Sequence, residues 1–313
     1  MIVTELIRTG HQGHIYLERY VNDGSPSGFT LEKSLDERFL PASDSSEVEV
    51  PIFWLPFETV TTVGTPAVLL RPDASFSVRG LFPFPIQPAV LELVKGHPII
   101  KGASIKTSVS TQPLASARTV ALTTISGKNI FMKLHFPKQL GRFIRSLPLH
   151  NWLSSLEVSR EFCMQAKDID ISTFRVAVYP YVGGAYLQSS EKVEGGGYLL
   201  RDTVPFPRPQ TPTITVPAFS LWSRDRKEPT HKPLLIQIIE LLGLDMHSAL
   251  DLFVAPLLRS YGFWALSCGL IPEDNAQNVL IEFALDFSNV RIVRRDMADV
   301  FKDEEIRTWG GVC

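Results

Sequence analysis

Short apolar, β-branched runs between polar loops dominate the chain up to residue 136 and predict strands. Val48 to Phe57 and Thr59 to Leu70 read as short β-rich pieces among polar loops such as Asn22 to Ser27, with no strong helical period before residue 85. Ser116 to Thr124 and Asn129 to Phe136 are β-branched and apolar runs, and the intervening Ile125-Ser126-Gly127-Lys128 is hairpin chemistry. Lys138 to Ser146 and Ser154 to Lys167 read as helices, the second opening on the capping-box pattern Ser154-Ser155-Leu156-Glu157. Phe174 to Tyr179 returns to strand. Later, Thr213 to Leu221 reads as strand, and Pro233 to Leu242 and Ser248 to Tyr261 read as helices, with Gly262 as the stop. Leu250, Phe253, Leu257 and Leu258 recur at helical spacing as a core-facing stripe. Asn278 to Leu285 and Val290 to Val293 predict a second strand pair around Asp286 to Asn289.

Prolines cluster at 83, 85 and 88 and again at 205, 207, 209, 212 and 217. Each ring biases its neighbourhood towards extended geometry, so both runs read as crossings between packed units. They divide the chain into 1–85, 86–204 and 205–313, and the expected class is α+β, with mixed or antiparallel sheets and packed helices.

Composition narrows the functions. The charges nearly balance, at a net −2, so no global field recruits nucleic acid or an anionic membrane, and any anion site is local. Cys163, Cys268 and Cys313 are odd in number and widely spaced, which suits reduced thiols in a cytoplasmic protein. The N-terminus carries no export signal, and no segment has the apolar length of a membrane span. The sequence lacks the P-loop, dinucleotide-binding, nucleophile-elbow and zincin motifs. His11 and His14 sit three apart without helical pattern or partnering ligands, and they read as surface residues.

Two places put polar residues where apolar ones are expected. Around the first hairpin, Ser116 and Arg118 share a strand face by the two-residue period, Lys133 interrupts Ile130-Phe131-Met132-Lys133-Leu134, and Arg142 and Arg145 lie in the helix that follows. The plain alternative is that Arg118 and Lys133 face solvent on an amphipathic sheet. Before the second strand pair stands Glu273-Asp274-Asn275-Ala276-Gln277-Asn278, with Arg295-Asp296 at the far end. An Asn and an Asp at the two ends of a β-pair suit a nucleotide-bound Mg²⁺. A turn-forming Asn and a capping Asp are the alternative there.

Taken in order, these segments resemble the siderophore synthetases of the aerobactin synthetase type, the ligases that work without a non-ribosomal peptide synthetase. That family's Ser-x-Arg-Thr strand, Lys-Leu-Ser-Leu strand and following Arg correspond to Ser116-Ala117-Arg118-Thr119, Lys133-Leu134-His135-Phe136 and Arg145. Its Glu-x-His-x-Gln-Asn loop and Arg-Asp pair correspond to Glu273-Asp274-Asn275-Ala276-Gln277-Asn278 and Arg295-Asp296. Gly197-Tyr198-Leu199-Leu200-Arg201 and Pro217-Ala218-Phe219-Ser220-Leu221 also match, so the resemblance runs over roughly residues 81–300.

The resemblance implies the palm and fingers of such a synthetase with a reduced N-terminal region, and an enzyme that uses ATP and Mg²⁺ to adenylate a citrate-like acid. An amine or alcohol then takes the acyl group in siderophore-type or other secondary-metabolite biosynthesis. Arg118, Lys133 and Arg145 would be catalytic. Ser116, Arg118, Lys133, Gln277, Asn278 and Asp296 would bind nucleotide, and Glu273, Asn278 and Asp296 the metal. The partners would be small-molecule carboxylates and amines or alcohols, without nucleic acid or membrane, in a homodimer or with a partner subunit. In two places this chain departs from the family: Gln87-Pro88 stands for a His-Pro, and Asn275 for the loop histidine. Each replaces a titratable imidazole with a neutral amide. A catalytically degenerate binder of nucleotide or carboxylate, or a partner-completing subunit, is therefore the second expectation.

Overall fold

A computed structural model describes residues 2–23, 37–40, 47–66, 80–103, 105–124, 126–140, 143–167, 175–190, 195–287, 289–298 and 300–309. The expected α+β class holds: antiparallel sheets with packed helices. Contacts divide the chain into two compact units, one of residues 26–156 and 181–203, the other of residues 1–25, 157–180 and 204–313. Among the described residues no helix is long and apolar enough to cross a membrane.

The first of these, the sheet unit, is built on strands β1 (Val48–Pro56), β2 (Val60–Gly64), β3 (Leu81–Pro85), β4 (Ile105–Pro113), β5 (Thr119–Thr123), β6 (Asn129–Leu134), β10 (Tyr181–Leu187) and β11 (Gly196–Asp202). They form one antiparallel sheet in the order β2-β10-β11-β6-β5-β4-β1-β3. Pro83 and Pro85 lie in β3, an edge strand, where a residue without an N–H leaves no ladder bond unmade. One face buries Val50, Leu55, Phe84, Val120, Ile130, Met132, Tyr198 and Leu200 in a common core. β5 and β6 form the expected hairpin in the register Thr119↔Lys133 to Thr123↔Asn129, with Gly127 at φ 77° in its turn. Lys138 to Ser146, expected as a helix, is instead a second hairpin of β7 (Phe136–Leu140) and β8 (Phe143–Arg145). Helix α3 spans Leu149–Gln165, so the supposed capping box lies inside it, and Ser155 Oγ donates to the Asn151 carbonyl one turn back.

In the second, mixed unit, β12 (Thr213–Pro217), β14 (Val279–Ala284), β15 (Val290–Arg294) and β9 (Val176–Val178) form a sheet in that order, β9 running parallel to β15. β13 (Leu270–Ile271) and β16 (Phe301–Lys302) pair separately, and a short helix, Glu304–Trp309, follows. The main sheet packs Ile214, Val216, Ile281, Phe283, Val290 and Ile292 against Val3, Leu6, Leu17, Leu234, Ile238 and Phe253. Those partners come from α1 (Val3–Thr9), α2 (His11–Tyr20), α4 (Leu234–Leu242) and α5 (Met246–Gly262). The first two helices were not expected. Their sequence hides them because Gly13 breaks the apolar stripe, and it does so for packing: a Cβ there would sit 2.7 Å from Leu6 Cδ1. Gly262 does not stop α5, which continues as a π-helical turn over Phe263–Ser267. Of the expected stripe Phe253 lies in the core and Leu257 packs against it, whereas Leu250 is 50% and Leu258 66% exposed. Thr213 to Leu221 is strand only to Pro217, then one tight helical turn.

Phe283→Ala should destabilise the mixed unit by about 3–5 kcal/mol, as removal of a fully buried aromatic ring does, measured by urea unfolding.

Candidate functional site

In the sheet unit, Leu114 to Thr119 is a tight turn and not a strand: the Thr119 carbonyl accepts from Leu114 N, and Ala117 stands at φ 58°. The two-residue period therefore does not govern Ser116 and Arg118. Ser116 Oγ accepts from Thr119 N at 3.1 Å and braces the turn. Arg118 Nη1 donates to the carbonyls of Arg145 (2.6 Å) and Ser146 (3.2 Å), so Arg145 belongs to strand β8 and presents its backbone to Arg118. Arg142 lies outside the described residues.

Solvent exposure of the two cations is excluded, since Arg118 is 9% and Lys133 4% exposed. Lys133 lies on β6 between Thr119 of β5 and Leu199 of β11. The alternation of the strand turns it to the face opposite the Met132 and Leu134 core, beside Phe131. Arg201 shares that face, buried, with its guanidinium 5.3 Å from the centre of the Phe131 ring. Sequence reading missed Arg201 as a site cation, although its position at the end of a matched segment was a usable signal.

His135 joins the cluster. Its Nδ1 accepts from Leu147 N at 3.0 Å, and Gly196 leaves room for its ring, because a Cβ there would come within 2.5 Å of it. Burial, with the Arg118 charge adding to it, pushes the imidazole down to about 4. The ring is thus neutral at pH 7, and the surroundings are electropositive. Gln87 caps the turn Pro88–Val90, its Oε1 accepting from Ala89 N at 2.5 Å. His97 caps Pro98–Lys101 in the same manner, and its Nε2 lies 3.0 Å from the Gln188 carbonyl.

In the mixed unit, Asn275 Oδ1 accepts from the N–H groups of Gln277 and Asn278, both at 2.9 Å, and folds the loop into a turn. Asn278 Nδ2 donates to Glu273 Oε2 at 2.9 Å, which joins two of the expected metal ligands. Arg295 N donates to the Asn278 carbonyl, extending the β14–β15 ladder by one step, and Asp296 then turns away at φ 67°. Arg295 Nε also donates to the Gln277 carbonyl at 2.6 Å.

The Arg295 guanidinium forms a buried ion pair with Glu18 of α2. His14, expected on the surface, is 3% exposed: its Nδ1 lies 2.9 Å from the Thr215 carbonyl and its Nε2 3.8 Å from Glu18 Oε1. Burial pushes His14 down to about 4. Glu18 and His14 support the loop from more than 250 residues away in sequence, and no local motif announces them.

Among the described residues no three His, Cys, Asp or Glu side chains form a metal cage. Glu273, Asn278 and Asp296 are two carboxylates and an amide, donor types that Mg²⁺ takes, and of these Glu273 and Asn278 are joined by the hydrogen bond between their side chains. Cys163 and Cys268 are free, and burial pushes their thiols up to about 11 and about 12, so neither is a nucleophile at neutral pH. Cys313 lies outside the described residues.

No family profile and no curated protein matches the sequence. Solved structures do match. ATP-bound aerobactin synthetase IucA from a hypervirulent pathotype of Klebsiella pneumoniae aligns over 99% of this chain with a TM-score of 0.68 and 15% identity. The fold is that of the siderophore synthetases. IucC of the same source aligns over 98% at TM-score 0.68 and 14% identity. Petrobactin biosynthesis protein AsbB from Bacillus anthracis str. Sterne aligns over 85% at 0.68 and 13%. The chain spans 48% of AsbB and 62% of IucA and IucC.

Two predictions follow from the buried groups. Glu18→Gln should cost about 3–5 kcal/mol in urea unfolding, because it strands the Arg295 charge inside the fold. Stability should also fall as the pH drops from 7.5 to 5.5. His14 and His135 are neutral when folded and take up protons near 6.5 when unfolded, so the unfolded state gains below that value. His135→Gln should flatten that fall; an unchanged slope would remove His135 as a contributor.

Proposed function

We propose that this chain is an ATP-dependent ligase that adenylates a small di- or tricarboxylic acid and passes the acyl group to an amine or alcohol, in the manner of siderophore biosynthesis. The observation that carries the reading is the burial of two cations, Arg118 and Lys133, in a fold shared with an ATP-bound synthetase. A carboxylate oxygen attacks the α-phosphorus of ATP and pyrophosphate leaves; the nucleophile then attacks the acyl carbon and AMP leaves. Both steps concentrate negative charge on phosphoryl oxygens, which fixed cations in a water-poor site stabilise.

In this reading Arg118, Lys133 and Arg145 are the catalytic cations, with Arg201 behind them. The nucleotide-binding residues that the resemblance implies are Ser116, Arg118 and Lys133 of the sheet unit and Gln277, Asn278 and Asp296 of the mixed unit, each unit to be tested by its own substitutions. Glu273, Asn278 and Asp296 would share Mg²⁺, which when bound offsets polyphosphate charge. The neutral His135 fixes the Leu147 backbone beside Arg118 and leaves the local positive charge to the guanidinium.

A second reading, a binder of nucleotide or carboxylate without turnover, is favoured by Gln87 and Asn275. Each is a neutral amide engaged in backbone capping where the resembled family has a histidine. Carboxylate-dependent ATP–pyrophosphate exchange over a panel of di- and tricarboxylic acids separates the two. The ligase reading expects exchange with at least one acid, and its loss by about 10²-fold in Lys133→Met. Binding of ATP without exchange for any acid selects the binder.

Calorimetric titration should also show tighter ATP binding with Mg²⁺ than without it, and Asn278→Ala should abolish the difference. Equal affinity in wild type under both conditions would end the metal role.

A further inference from the structure

At the other end of the β14–β15 hairpin from the Asn278 loop lies a cleft of about 570 Å³, lined by Arg175, Arg208, Thr213, Glu282, Asn289 and Arg291 among others. Strand alternation makes it. Ile281, Phe283, Val290 and Ile292 point into the core, so Glu282 and Arg291, cross-strand partners, point the other way. Arg175 precedes β9 and lies level with Arg291 by the parallel register, its carbonyl accepting from Ile292 N at 2.9 Å. The proline-rich segment brings Arg208 to the same cleft. The volume lies within the range of small-molecule sites, and five or six strand residues at about 3.3 Å each separate it from the Asn278 loop.

The cleft has a preorganised wall and an excess of positive charge. Arg291 Nε donates to Glu282 Oε2 at 2.6 Å, and its Nη1 donates to the Pro207 carbonyl at 2.9 Å. Thr213 Oγ1 donates to Glu282 Oε1 at 2.7 Å. Glu282 is buried and spent on holding this wall, with Arg291 Nη2 also 2.5 Å from Glu282 Oε2, so one of the three guanidiniums is paired and the other two supply the excess. Among the described residues neither Arg175 nor Arg208 has a carboxylate within ion-pair distance. Three guanidiniums against one carboxylate leave the cleft two charges positive. Arg175 is also held at φ 52°, a strained conformation for a side chain of its size.

We propose that this cleft is a second anion site, binding a small organic or inorganic polyanion with two or more carboxylate or phosphate groups. Arg175 and Arg208 each take one group through paired N–H donors, and the Arg291–Glu282 pair forms the fixed wall between them. The side-chain amides of Gln210 and Asn289 and the Thr211 hydroxyl at the rim suit the remaining oxygens.

Calorimetric titrations with citrate and, separately, with pyrophosphate test the site and tell the two chemistries apart. The wild type should bind at least one probe, more weakly as salt rises. Arg208→Gln and Arg175→Gly should each weaken that binding about tenfold. Glycine relieves the strain at 175, so its variant keeps the fold, which circular dichroism checks. Absence of binding by either probe overturns the proposal. So does wild-type affinity in both variants, which would assign the heat to the Asn278 loop or the Arg118 cluster and leave the ligase reading untouched.

Discussion

The Arg118 guanidinium, buried beside the large sheet, must find acceptors inside the fold, and it finds them on the backbone of Arg145 and Ser146. Those carbonyls come from the end of the β7–β8 hairpin and the residue after it, where local pattern favoured a helix. The same segment also brings Leu147 N to His135 Nδ1, while burial and then the Arg118 charge keep that ring neutral. A buried cation without such anchorage would cost several kcal/mol, so the turn, the hairpin and the imidazole stand or fall together.

The mixed unit meets the same demand differently. Arg295 is paired with Glu18 of a helix formed at the other end of the chain, and it clasps the Gln277 carbonyl, so the loop that presents Asn278 is tied to α2 through one side chain. Next to it, Arg294 pairs with Asp274, and burial pushes the carboxyl up and the guanidinium down while each partner's charge works the other way. The two ends of the hairpin differ in balance: at its Asn278 end Arg294 and Arg295 each have a carboxylate partner, and at its Asn289 end three guanidiniums face one carboxylate.

Gln87 and Asn275 show what a neutral amide does at the start of a turn. Both side chains accept backbone N–H groups at the start of a turn, a role that a neutral imidazole nitrogen also fills, as His97 does here. What an amide cannot do is take up a proton at neutral pH. Amide and imidazole thus share this local geometry and differ in titration.

The sequence by itself determined the elements whose neighbours in space are neighbours in the chain. The β5–β6 and β14–β15 hairpins were legible because turn residues and alternation act over a few positions, and the ordered motifs around Ser116, Lys133 and Asn278 were legible as a resemblance. Burial of Arg118 and Lys133, the strand at Arg145, and the helices at Val3–Thr9 and His11–Tyr20 were not. Their causes lie far away: α1 and α2 form because Leu6 and Leu17 pack with Ile214 and Phe283, and His14 is buried because Thr215 and Glu18 receive it. Helices this short are marginal alone and form when tertiary contacts complete them. Whether a charged side chain meets water or a backbone carbonyl is likewise decided by which distant segment covers it, and only the tertiary structure contains that information.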